Sequence, residues 1–429
     1  MRANSLLFFI LVAFFALASW TATTTPYRQS GFLFNQRMTP SSEIGNPDER
    51  QHANYIRHLR TEGTIPVLRP GTPDFGETYQ SHQPPTYYLL ATGWAKLSGA
   101  DPELASGKRI RYLNVVVGVI TLLGVFFVGR WGLERDDIGA AAAMFVGLNP
   151  MFIALNSAIT NDALLYCFCT WGFAWCLRLI KPDSTLRDAA IVAVLAALAI
   201  LTKMSGVLMI PVAMLAVFMR PTKDIKVMTQ MFSIVVFGSM LLAGWWLLRN
   251  NSLYGDPLGL KIFKEAFAGS PKSMEMAAVL GPRDFWVDMF GWWTARSFFG
   301  AMGSMDIFYG HQVYRLLFAG ALLLVVGTLM FRRDGNEVPK SYRMLAWAFA
   351  LFVLAQYLQF NLTYFQAQSR YLFPAISVFG TLFAIGLAGW TKAKFLPVAM
   401  GLAVLLVGAN IWSGVYVQHE FERRISGQR

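Results

Sequence analysis

The stretch PPTYYLLATGWAKLSG, residues 84–99, decides the topology. It is apolar, yet it falls short of the roughly 20 residues a helix needs to cross a bilayer core about 30 Å thick. Longer or comparable apolar blocks lie on both sides, at 5–20, 111–129, 139–156, 162–180, 188–202, 204–219, 229–248, 312–331, 344–361, 371–389 and 395–416. Suppose that 84–99 does not cross. Alternate loops then hold Arg130 and Arg135; Arg178, Lys181 and Arg187; Arg220, Lys223 and Lys226; Arg332, Arg333, Lys340 and Arg343; Lys392 and Lys394, all on the side of Arg2. Cytoplasmic loops carry such an excess of Lys and Arg. If the segment crossed, every one of these loops would face outward. It therefore reads as a helix lying at the interface, with Tyr87, Tyr88 and Trp94 at headgroup level.

The expected fold is all-α: a polytopic membrane protein with about 11 transmembrane helices, amino terminus inside and carboxyl terminus outside. Residues 1–20 form the first helix. The block ends in Ala16-Leu17-Ala18, a possible signal-peptidase site, and is read as an uncleaved anchor. Residues 21–110 form an extracytoplasmic loop bearing juxtamembrane helices, too long for an ordinary connection. Residues 111–248 carry helices 2–7, 249–311 form a second large outer loop, and 312–429 carry helices 8–11 with an outer tail.

Composition supports this class. The chain of 429 residues is 55% hydrophobic and only 14% charged, against about 25% charged for a soluble domain. Disordered, coiled-coil and ordinary soluble classes are excluded. The net charge of +12 follows from cationic cytoplasmic loops, so no nucleic-acid partner is expected. Cys167, Cys169 and Cys176 share one apolar segment and read as packing residues. Polar residues concentrate on the outer face rather than at the membrane midplane, where a transporter would place them.

Asn46-Pro47-Asp48-Glu49-Arg50-Gln51-His52 opens a helix in the first outer region, with Pro47 in its first turn. Asp48 or Glu49 beside apolar surface can serve as a general base. Glu49 and His52 are spaced to share a helix face and could contribute two metal ligands. A divalent metal is left open and no other cofactor is expected. His82 and Gln83, before Pro84-Pro85, would meet a phosphate at the membrane surface. Asn161-Asp162 opens the span at 162–180, and an acidic residue there is a functional hypothesis by default. Lys203, Arg249 and Arg370 put cations on the outer face against the usual bias. Arg offers a bidentate fork for phosphate, Lys a point charge. His52, Tyr87, Tyr371 and Arg296, the last within Trp292-Trp293-Thr294-Ala295-Arg296, are candidates for contact with sugar or acceptor.

Taken in order, Asn-Pro-Asp-Glu-x-x-His at 46–52, His82-Gln83-Pro84-Pro85-x-Tyr87-Tyr88, Asn161-Asp162, Lys203, Arg249-Asn250 and Gln368-Ser-Arg370-Tyr371-Leu-x-Pro374 resemble the GT-C membrane glycosyltransferases. The likeness runs to about residue 375 and favours the bacterial branch of protein O-mannosyltransferases and the aminoarabinose transferase of lipid A. It implies a polyprenyl-phosphate-linked sugar donor and an extracytoplasmic active site in a cell inner membrane. A glycan, lipid or protein acceptor is implied, with membrane lipids as surroundings. It also implies a carboxylate base at Asp48 or Glu49, a second acidic position at Asp162, and donor-phosphate contacts from Lys203 and Arg370. Gln83 departs from the aminoarabinose transferase pattern, which often has Lys there. A flippase of lipid-linked saccharides and a non-catalytic subunit of the same fold are the competing readings.

Overall fold

The computed structural model describes residues 2–33, 38–222, 224–333 and 335–427; Lys223 of the cationic loops lies outside them. Helix α1 (Ala3–Thr24) leads into an antiparallel hairpin of β1 (Gly31–Leu33) and β2 (Thr39–Ser41), with Phe32 opposite Pro40. Helix α2 (Glu49–Thr61), the single turn α3 (Phe75–Thr78) and α4 (Thr86–Ser98) complete the first polar region. Then follow α5 (Arg111–Leu133), α6 (Asp136–Gly147), α7 (Pro150–Asn156), α8 (Asp162–Leu179), α9 (Leu186–Thr202) and α10 (Met209–Phe218). Helix α11 (Ile225–Ser233) continues through a π-helical turn, Ile234–Gly238, into α12 (Ser239–Tyr254). Short helices α13 (Leu260–Ala266), α14 (Ser273–Leu280) and α15 (Trp292–Phe299) occupy the second polar region. Helices α16 (His311–Arg333), α17 (Lys340–Asn361), α18 (Ile376–Thr391) and α19 (Phe395–Ser426) close the chain.

Every apolar block is helical, and the all-α class holds. Among the described residues six helical stretches are long and apolar enough to cross a membrane, or seven if a bent pair counts as one. That is fewer than the eleven expected. One stretch, Ser369–Ser426, contains both α18 and α19. The bent pair is α6 and α7, which meet at 71°. Asn149 causes the break: its side chain accepts from the Met151 and Phe152 amides, and Pro150 starts α7 at a position that needs no donor.

Helix ends sort onto two faces. Thr23 meets Tyr112, so the end of α1 lies beside the start of α5. Lys203 after α9 meets Asp162 at the start of α8, and Arg249 in α12 meets the first polar region at Pro66. Arg370, just before α18, reaches Asp48, while the Arg424 carbonyl at the end of α19 lies against Gly31. Helices α18 and α19 are therefore antiparallel. On the opposite face Lys181 pairs with Glu134. Small residues allow the closest crossings. A Cβ on Gly386 of α18 would stand 1.7 Å from the Leu324 carbonyl oxygen of α16.

The first polar region corrects two expectations. Helix α4 does exist, but Tyr87 and Tyr88 are fully buried rather than at headgroup level. The Tyr88 ring stacks on Tyr55 of α2 with centroids 3.7 Å apart, and the outward face of α4 is Leu89, Leu90 and Leu97. Packing α2 over α4 buries more aromatic area than a water interface would. Helix α2 starts at Glu49, so Pro47 precedes the helix instead of forming its first turn.

Candidate active site

The site forms where the start of α2, the start of α8, the end of α9 and the turn before α18 converge. Asp48 occupies the left-handed region with φ 58°. Aspartate tolerates this conformation better than most residues. The twist sends adjacent carboxylates in opposite directions.

Glu49 points inward and is fully buried, as is Arg111 at the start of α5. Arg111 donates to both Glu49 oxygens, from Nε at 2.8 Å and Nη2 at 2.6 Å. It also donates to the carbonyls of Ala22, Thr25 and Pro26. The Ile159 amide and Asn46 Nδ2 complete the shell of Glu49. This pair ties α1, α2, α5 and the α7–α8 link together and leaves Glu49 no open oxygen.

Asp48 points the other way and keeps 27% of its side chain exposed. Tyr79 Oη donates to Oδ1 at 2.6 Å, and Arg370 Nη2 donates to Oδ2 at 2.9 Å. Burial pushes the Asp48 carboxyl up, but Arg370 and the Tyr79 hydroxyl outweigh it and hold the pKa down at about 2. Arg370 also approaches Asp162, Nη1 to Oδ2 at 3.8 Å. Asp162 receives Lys203 Nζ at 2.5 Å. Arg370 thus bridges two carboxylates, and Lys203 caps the second. The Tyr371 ring lies 5.2 Å from both the Lys203 ammonium and the Arg370 guanidinium carbon, which favours cations there.

His52 Nδ1 meets Tyr88 Oη at 2.7 Å. Burial drives its pKa down to about 4, with Asp48 and Asp162 opposing. A chain of hydrogen bonds fixes His82. Asn161 Nδ2 donates to the Thr202 carbonyl and to Gln83 Oε1. Gln83 Nε2 is thereby the donor to His82 Nε2, and His82 Nδ1 donates to the Tyr79 carbonyl at 2.7 Å. Burial lowers the His82 pKa to about 4, in keeping with this neutral tautomer.

Asp48, Asp162, Lys203, Arg370 and Tyr371 are therefore assembled, with His52, His82 and Gln83 around them. Glu49 stands behind the site with Arg111. Tyr87 is buried away from it, with its hydroxyl toward Asn114 and Thr160. Arg249 ties α12 to the first polar region, donating to the Pro66 carbonyl at 2.8 Å and lying over Trp246. Arg296 sits among Trp292, Phe308 and Tyr314. The expected metal pair separates, since Glu49 faces Arg111 and His52 faces Tyr88. Among the described residues no group of three His, Cys, Asp or Glu could hold an ion. Tyr79 and Arg111 were not singled out from the sequence. The signal that marks Arg111 is that, unlike Lys108 and Arg109 before it, it lies inside the first turn of an apolar helix.

Residues 82–247 match the family model of dolichyl-phosphate-mannose-protein mannosyltransferases. That segment holds Asp162 and Lys203 but neither Asp48 nor Arg370. No curated protein sequence matches the chain. Among solved structures the chain is similar to ArnT from Cupriavidus metallidurans bound to undecaprenyl phosphate, at 17% identity and TM-score 0.51, over 92% of this chain and 62% of that one. It is also similar to the Archaeoglobus fulgidus oligosaccharyltransferase in complex with Zn and sulfate, at 14% identity and TM-score 0.50, over 95% of this chain and 52% of that one. The chain thus spans somewhat more than half the length of these proteins. The likeness shows the fold, which is that of GT-C membrane glycosyltransferases.

Proposed function

We propose that this chain transfers a sugar from a polyprenyl-phosphate donor to an acceptor hydroxyl on the extracytoplasmic face of a cell inner membrane. The observation that carries the reading is the bridge of Arg370 between Asp48 and Asp162, with Lys203 on Asp162. Helix ends far apart in sequence converge to place two carboxylates and two cations together. The family match over 82–247 and the similar ArnT structure bound to undecaprenyl phosphate support a lipid-linked donor.

The lipid phosphate is the leaving group. Lys203 and Arg370 stabilise the charge that grows on it, fixed before the reaction starts. Asp48 takes the acceptor proton as the hydroxyl oxygen attacks the anomeric carbon. A single displacement inverts that centre, since no second carboxylate acts as nucleophile. Asp162 orients Lys203. Glu49 holds the scaffold and takes no part in proton transfer. With Arg370 on Asp48 the base is weak. A phosphate that draws Arg370 away raises its pKa, so donor binding activates the base.

The test is transfer by the purified protein in liposomes, with a panel of radiolabelled polyprenyl-phosphate sugars and membrane extract as acceptor. Asp48→Asn is expected to lose about 10²–10⁴ in rate. Undiminished transfer by this variant refutes the base assignment. Donor movement across the bilayer without transfer refutes the transferase reading in favour of a flippase.

A further inference from the structure

A crevice runs between α1, α7 and α19 and ends at Asn46, Pro47 and Arg370. None of these three helices carries Lys203, Arg249 or the His82–Gln83 pair. Leu17, Met151, Ile153, Val417 and Phe421 give it apolar walls, and Arg370 is the one charged residue that lines it among those described. Arg370 is only 6% exposed, and its Nε has no partner. An orphaned buried donor in the lining of a largely apolar slot marks a place for a polar head on a hydrocarbon chain. The crevice is narrow in this state because Trp20 of α1 lies across Gly414 of α19. A Cβ on Gly414 would stand 2.3 Å from the indole.

We propose that this crevice holds the hydrocarbon chain of the acceptor, which is a neutral, hydroxyl-bearing lipid reaching the site from the membrane between α1 and α19. The proposal rests on the glycosyltransferase reading. Burying methylenes against these walls supplies about 0.8 kcal/mol each, and Arg370 already has its counter-charge in Asp48 and Asp162, so a neutral head that accepts from its Nε suits this end. Pro47 adjoins Asp48, so a head group at this end presents its hydroxyl to the base. The acceptor oxygen bonds to the anomeric carbon, the bond from that carbon to phosphate oxygen breaks with its electron pair, and the hydroxyl proton passes to Asp48. The donor uses the other side of Arg370, where Lys203 lies.

Photolabelling in nanodiscs tests this with two diazirine probes, a diacylglycerol labelled on an acyl chain and a polyprenyl phosphate. Crosslinks within 17–25 and 410–421 are read against the exposed Leu316 and Leu322 of α16. The diacylglycerol is expected to enrich in the crevice about tenfold. Polyprenyl phosphate is expected near Lys203 instead. Gly414→Leu drives a side chain into Trp20 and should abolish the enrichment. Should that variant fail to fold, Trp20→Ala opens the gap and should increase it. Diacylglycerol labelling equal to that of α16, or polyprenyl phosphate in the crevice, overturns the proposal. Polyprenyl phosphate absent from the Lys203 side refutes the transferase reading itself, while the diacylglycerol result still decides the crevice.

Discussion

Exchanging Glu49 for glutamine separates scaffold from chemistry. Glu49 and Arg111 are both 0% exposed and joined by two charge-assisted hydrogen bonds of 2.8 and 2.6 Å. Glu49→Gln keeps the shape but removes the negative charge. Arg111 would keep three carbonyl partners, yet it would be a buried cation without a counter-ion. Breaking one partner of such a pair costs about 3–5 kcal/mol. The amide also turns a donor toward either Arg111 or the Ile159 N–H, adding about 1–3 kcal/mol where a buried group goes unbonded. Unfolding in mixed micelles, titrated with dodecyl sulfate, measures the loss. A cycle with Arg111→Met supplies the control: the double variant should recover part of the loss, because no unpaired charge remains. Transfer per folded molecule should stay near that of the parent. If Glu49→Gln unfolds within about 0.5 kcal/mol of the parent and yet abolishes transfer, Glu49 acts on substrate and the role assigned to Asp48 is wrong.

Three further outcomes follow from the same geometry. Asp48 near pKa 2 in the free protein should rise once a phosphate engages Arg370, so the acid limb of kcat should lie at higher pH than that of kcat/KM; coincident limbs would count against donor-triggered activation. His52, with a pKa of about 4 against roughly 6.5 when unfolded, favours the neutral folded state. Its contribution is whole above pH 6.5 and is lost as pH falls toward 4, by about 3 kcal/mol, and His52→Gln should flatten that part of an unfolding-versus-pH curve. Gly386→Leu must part α18 from α16, where even a Cβ meets the Leu324 carbonyl at 1.7 Å. Because Arg370 sits in the 3₁₀ turn Ser369–Ala375 that runs into α18, transfer in liposomes should fall about 10²-fold through misplacement alone, and an unchanged rate would show that Arg370 is positioned independently of that helix.

Much of the architecture was legible because bilayer thickness imposes a length on apolar blocks, and all the blocks became helices. The bend at Asn149 was not, since a Pro-initiated restart inside an apolar run looks the same as a continuous span. The first polar region was harder. Tyr87 and Tyr88 suit a headgroup belt in composition, but both are buried, and the partners of Tyr88 on α2 are more than thirty residues away in sequence. Similarly, Asp48 and Glu49 are equivalent carboxylates on paper. The left-handed backbone at Asp48 and the distant Arg111 distinguish them, and neither is a local property. Lys203, Arg249 and Arg370 stood out as outer cations, and Arg296 as a contact to sugar or acceptor. Only packing shows that Lys203 and Arg370 face carboxylates, while Arg249 and Arg296 face carbonyls and rings.

The balance of charge at the site has its own consequence under the proposed transfer. Two carboxylates meet two cations there, so the protein's own charges balance within their first contacts. A sugar on a lipid phosphate is a diester with one negative charge, and the departing lipid phosphate gains a second. Asp48 loses its own charge at the same moment by taking the acceptor proton. The negative charge facing Arg370 therefore moves from carboxylate to phosphate without growing. In a site with side chains 7% and 4% exposed at Arg370 and Asp162, creating net charge would be costly, whereas moving it a short distance across one guanidinium is not. Lysine at position 370 would keep the charge but lose the planar fork that holds two acceptors at once. This is why a bridging arginine, rather than a second lysine, suits the place between Asp48 and Asp162.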